Sequence, residues 1–98
     1  MSDTFQYGYV DFEVVVSGGV GQSQVYLGDR VYGFAVKCGV GLQYRVEFRD
    51  KDGFGVWAED DTSYQGPVCR AINRKCRGFQ VFLTGATDGV YLFRVSAE

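Results

Sequence analysis

Residues 42–49 alternate without a break: Leu42, Tyr44, Val46 and Phe48 fall between Gln43, Arg45, Glu47 and Arg49. A period of two turns the first set toward a core and the second toward water, the mark of a half-buried β-strand. Asp50-Lys51-Asp52-Gly53 then supplies turn chemistry, and Phe54–Glu59 is predicted to return as the partner strand. A second hairpin is predicted at the end, where Phe79–Thr84 and Val90–Ser96 flank Gly85-Ala86-Thr87-Asp88-Gly89. Upstream, Phe5–Val16 reads as a long strand, bent at Gly8, with Val10, Phe12, Val14 and Val16 on one face. The run Gly18-Gly19-Val20-Gly21 is a turn into a strand over Ser23–Leu27. After Gly28-Asp29, Arg30–Cys38 carries Tyr32, Phe34, Val36 and Cys38 on one side.

Segment 66–78 breaks this pattern. Pro67 stands where a first helical turn tolerates it and Gly78 where a helix ends, while Cys69, Ile72 and Cys76 share a helical face. Arg74, Lys75 and Arg77 gather at the end where cations favour the helix dipole. The expectation is a short helix near 67–77, with a strand and a basic turn as the alternative. The whole pattern predicts an all-β fold: a single β-sandwich, jelly-roll-like, of about seven or eight strands with that one helix, spanning residues 1–98 as one domain. Its inner layer should hold Phe12, Val14, Phe34, Val36, Tyr44, Val46, Phe48, Val81, Leu83 and Phe93.

Composition changes the picture at one point. Among 98 residues stand 8 Phe, 7 Tyr and 1 Trp, with 14 Gly and no His. One small sandwich has one inner layer, and a domain of this size buries only about two thirds of the surface of its unfolded chain. Yet apolar side chains fall on both faces of most strands. Tyr9 and Val15 oppose Val10, Phe12 and Val14; Phe82 opposes Val81 and Leu83; Val90 and Leu92 oppose Tyr91 and Phe93; Trp57 opposes Val56. Tyr and Trp are enriched at interfaces, so these outward rings point to a surface that docks.

The net charge of −2 argues against nucleic-acid binding, which draws on a strong basic excess. Within that acidic balance Arg70, Arg74, Lys75 and Arg77 form a local basic cluster suited to an acidic protein surface. No apolar run approaches the ~20 residues that span a bilayer. Asp3 stands where a signal peptide would carry Lys or Arg, so the expectation is a chain made in the cytoplasm without a signal peptide.

Candidate chemistry is sparse. Without histidine the commonest general base and metal ligand at neutral pH is missing, and no Ser or Cys sits in a nucleophile motif. Glu47 and Glu59 are the least poor acid–base pair, and alternation makes each of them a solvated strand position. Asp50-Lys51-Asp52-Gly53 lacks the further carboxylates of a calcium loop, and Glu59-Asp60-Asp61 is a solvated charge run. Cys38, Cys69 and Cys76, an odd number, are expected as free buried thiols rather than a zinc site. No catalytic activity, cofactor or metal is expected.

The closing hairpin Phe79-Gln80-Val81-Phe82-Leu83-Thr84-Gly85-Ala86-Thr87-Asp88-Gly89-Val90-Tyr91-Leu92-Phe93-Arg94-Val95-Ser96 resembles modules of the small all-β virion proteins of tailed bacteriophages, above all capsid decoration or cement proteins. The resemblance covers about a fifth of the chain. It implies a non-enzymatic protein, often trimeric, that binds a capsid shell from outside and so lies at the virion surface. On that reading self-association and shell contact would use Tyr7, Tyr9, Trp57, Phe82 and Leu92 with Arg70, Arg74, Lys75 and Arg77. The alternative is a carbohydrate-binding sandwich in which Tyr7, Tyr9, Tyr26 or Trp57 stacks on sugar rings.

Overall fold

A computed structural model describes residues 8–58 and 64–98. Among the described residues nine strands run in chain order: β1 (Gly8–Val16), β2 (Gly21–Gln22), β3 (Arg30–Lys37), β4 (Gln43–Arg49), β5 (Gly55–Ala58), β6 (Tyr64–Gln65), β7 (Val68–Lys75), β8 (Gln80–Thr84) and β9 (Gly89–Ala97). They form two antiparallel sheets. One has the order β1-β9-β3-β7; the other has β2-β8-β4-β5, with β6 pairing the same side of β4 as β5. From β4 to β6 the chain stays in one sheet, and every other connection crosses to the opposite one.

The alternation of apolar residues fixes what lies between the sheets. Val14, Phe34, Val36, Tyr44, Val46, Phe48, Val81, Leu83 and Phe93 are all buried, as expected, together with Val31, Ile72, Phe79, Tyr91 and Val95. Phe12 is only partly buried at the margin of this core. Rings join the two layers: Phe34 on β3 meets Phe48 on β4 at 5.3 Å, and Tyr91 on β9 meets Tyr44 on β4 edge-on at 4.9 Å. Tyr44 donates its hydroxyl hydrogen to the Gly66 carbonyl at 2.6 Å, so its one polar atom is satisfied inside the core.

Three expectations are corrected. Among the described residues there is no helix; 68–75 is strand β7, paired with β3 from Val36↔Val68 to Arg30↔Lys75. A helix would have buried Cys69, Ile72 and Cys76 together, whereas Cys69 is exposed and Cys76 only half-buried. The strand instead satisfies the free edge of β3 and sets Ile72 into the core. Gly78 is no helix cap. With φ +68° it forms the turn into β8, and a Cβ there would lie 2.9 Å from the Tyr26 carbonyl oxygen.

Ser23–Leu27 is not a regular strand: pairing ends with Gly21–Gln22, and beyond it Ser23 and Tyr26 touch β8 singly, Ser23 N–H donating to the Val81 carbonyl and Tyr26 bridging to Phe79. The single face proposed for Arg30–Cys38 is broken by a bulge between Val31 and Gly33, which buries Val31 beside Phe34 and turns Tyr32 toward Glu98, to which its hydroxyl donates. On the neighbouring strand Asn73 absorbs the mismatch at φ 52°, a conformation Asn tolerates better than most residues. The expected entry at 5–7 and the end of the strand at Glu59 lie outside the described residues.

The three cysteines are free thiols, but they are not alike. Burial pushes the Cys38 and Cys76 thiols up from their ordinary range, while Cys69 lies exposed on an outer sheet face. A chromogenic disulfide reagent at mildly alkaline pH should therefore label one thiol per native chain quickly and the other two more slowly, until unfolding makes all three alike. Three equal native rates would contradict this placement.

Candidate functional site

On the outer face of the β1-β9-β3-β7 sheet, outward side chains meet around a groove. Directly opposed residues form rows across it: Val15–Val90, then Glu13–Leu92–Lys37, then Asp11–Arg94–Ala35–Cys69, then Tyr9–Ser96–Gly33–Ala71. The β1 side is bulky and charged, and the β3–β7 side is small. That contrast leaves a groove of about 510 Å³ lined by Asp11, Glu13, Ala35, Lys37, Leu92 and Arg94.

Two of its four charges are locked. Arg94 donates from Nε and Nη2 to the two carboxylate oxygens of Asp11, each at 2.8 Å, a bidentate fork that holds the Asp11 carboxyl below its usual range. The same guanidinium lies over the Tyr9 ring, 5.1 Å from its centroid. Among the described residues Glu13 and Lys37 make no ion pair. They flank Leu92 from opposite strands, and both are exposed.

The residues singled out from the sequence are dispersed by the fold. Tyr9, 70% exposed, and Leu92, 43% exposed, do share this face. Phe82 lies on the outer face of the other sheet, half-buried beneath Arg49, whose guanidinium sits 4.0 Å from the ring centroid. Trp57 turns inward instead of outward, edge-on to Phe34 at 5.6 Å and to Phe48 at 6.3 Å. A register shift between β4 and β5 places it there. Tyr26 is likewise engaged, stacked between Phe12 at 4.8 Å and Phe79 at 5.5 Å. Tyr7 lies outside the described residues.

The basic cluster does not form one helical face. By register Arg70 stands opposite Phe34 and Arg74 opposite Val31, so both lie toward the inner side along the open edge of β7, and Arg70 covers the Tyr64 ring at 5.1 Å. Lys75 faces Arg30, and Arg77 follows in the turn, where its carbonyl accepts from the Lys51 N–H. Inward charges on an edge strand discourage pairing with a further strand, so part of this cluster protects the sheet edge.

The weaker chemical candidates resolve into local structure. Asp50 Oδ1 accepts from the N–H groups of Asp52 and Phe54, both at 2.9 Å, which makes the calcium-like run a side-chain-closed turn. Glu47 is bound to Arg49 at 3.0 Å, and its proposed partner Glu59 lies outside the described residues. Among the described residues no group of three or more acidic or Cys side chains is placed to hold a metal ion.

Sequence reasoning missed Asp11, Glu13, Ala35, Lys37 and Arg94. Their outward direction is legible in the alternation, but their adjacency depends on β9 lying between β1 and β3. Comparison with protein-family models, with curated proteins and with solved structures returns no match.

Proposed function

We propose that the chain is a non-enzymatic structural protein of a bacteriophage virion, a jelly-roll sandwich that self-associates and docks on a capsid shell as a decoration or cement protein. The observation that carries this reading is the outer face of the four-stranded sheet. Tyr9, Val15, Val90 and Leu92 stand exposed there beside fixed charges, on a broad and shallow surface suited to another protein surface. The order β1-β9-β3-β7 facing β2-β8-β4-β5/β6 supports it, being that of a double Greek-key jelly roll, an architecture used in viral capsid domains and in lectins. Many copies on one shell add weak contacts through avidity, so no deep pocket is needed.

The sugar-binding alternative needs open ring faces. Tyr26 and Trp57 are packed against other rings, which leaves Tyr9 as its exposed stacker among the described residues. The test is sedimentation of the isolated chain with undecorated shells of the virion it belongs to, beside a glycan panel. Saturable co-sedimentation with shells is expected. A strict monomer that binds a glycan and ignores the shells would defeat the proposal.

A further inference from the structure

We infer that the outer face of β1, β9 and β3 is a self-association surface on which a second copy of this chain docks about a two-fold axis running along β9. The inference rests on the self-association in the reading above and specifies its surface. Rotation by 180° about the β9 direction exchanges the β1 side of one copy with the β3 side of the other. Glu13 and Lys37 stand in one row, one strand to either side of Leu92. Such an axis therefore sets Glu13 of each copy over Lys37 of the other and Leu92 against Leu92. Two ion pairs form at once, from the two groove charges that have no ion-pair partner among the described residues.

Shape agrees with charge. The same rotation lays Tyr9 over Gly33 of the second copy and Asp11 over its Ala35, the bulky strand entering the trough left by the small one. Arg94 lies on the axis row, and two guanidinium groups would repel each other there. Its bidentate bond to Asp11 draws each one toward β1 and away from the axis. Sheets packed face to face keep their strands within about 30°, and the Glu13 and Lys37 columns lie only one strand spacing, about 4.8 Å, from the axis, so the pairing survives that rotation. Three facing strands of about eight residues give a footprint of roughly 380 Å² on each copy, at the small end of protein contacts, so the association is weak, micromolar or weaker, and sensitive to salt.

Sedimentation equilibrium of the full chain between about 10 and 500 μM tests this. The wild-type chain is expected to form dimers. Lys37→Glu and Glu13→Lys each turn two attractions into two repulsions and should weaken dimerisation roughly ten- to a hundredfold. The double variant E13K/K37E restores the pairs with reversed polarity and should dimerise like wild type, while Arg45→Glu on the opposite sheet changes nothing. Far-UV circular dichroism confirms that these variants at exposed positions remain folded. A wild-type monomer throughout this range, single variants that dimerise like wild type, or a double variant as weak as the singles would each overturn the inference. Shell binding separates it from the broader reading: a monomer that still binds shells defeats only the dimer, and a charge-paired dimer that ignores shells defeats only the docking role.

Discussion

Phe48→Ala is expected to cost about 3–5 kcal/mol of folding free energy, the range for removing a buried ring without collapse of the cavity. Phe48 has no solvent exposure and lies on β4, the central strand of its sheet, between β5 and β8. Its ring meets Phe34 from the opposite sheet, Trp57 from the edge and Phe79 from the chain entering β8. These neighbours belong to three different segments, so none can move in to refill the space without disturbing its own pairing. Against a total of about 5–15 kcal/mol the loss consumes a large part of the stability, and the urea midpoint should fall by roughly 2–3 M with the slope unchanged. Phe82→Ala is the matched control: same residue type, same sheet, opposite face, half-buried under Arg49. About 1 kcal/mol is expected there. Equal losses at the two positions would mean that the inner and outer faces are wrongly assigned.

Gly33→Ala is the second large effect, and it tests β7. A Cβ at Gly33 would sit 2.6 Å from the Arg70 carbonyl oxygen and 3.4 Å from the Ala71 Cα. Both atoms are backbone of the adjacent strand, so relief requires β7 to move away from β3 rather than a side chain to turn. The cost should be about 1–3 kcal/mol, with amide exchange accelerated along Val68–Lys75 before the rest of the sheet. Gly55→Ala provides the contrast, since its added Cβ meets only Glu47 Oε2 at 3.7 Å and should change stability by less than about 0.5 kcal/mol. If 67–77 were helical, Gly33 would face no neighbouring strand backbone, and its substitution would be as harmless as that of Gly55.

The candidate face shows where legibility stops. That Asp11, Glu13 and Arg94 point outward follows from counting by twos along β1 and β9. That Arg94 grips Asp11, and that Glu13 and Lys37 straddle Leu92, depends on strands far apart in sequence lying side by side. Trp57 and Tyr26 make the reverse case. Both read as rings left over for a partner, and the register shift between β4 and β5 and the stack on Phe12 and Phe79 bring them into the protein's own packing.

What the sequence determined by itself is the part governed by near neighbours along the chain. Alternation set the inner layer, and Gly- and Asp-rich runs set the turns at 50–53 and 85–89. Segment 68–75 was decided only by tertiary structure, because Cys69, Ile72 and Cys76 satisfy a helical period while Val68, Arg70 and Ile72 satisfy a strand period. The unpaired edge of β3 selects the strand, since backbone groups in a sheet must find partners and a helix would have left that edge bare. The bulge at Tyr32, the inward turn of Trp57 and the rows of the outer face belong to the same class. Each follows from which strands become neighbours, a choice made by the packing of one shared core rather than by any local run of residues.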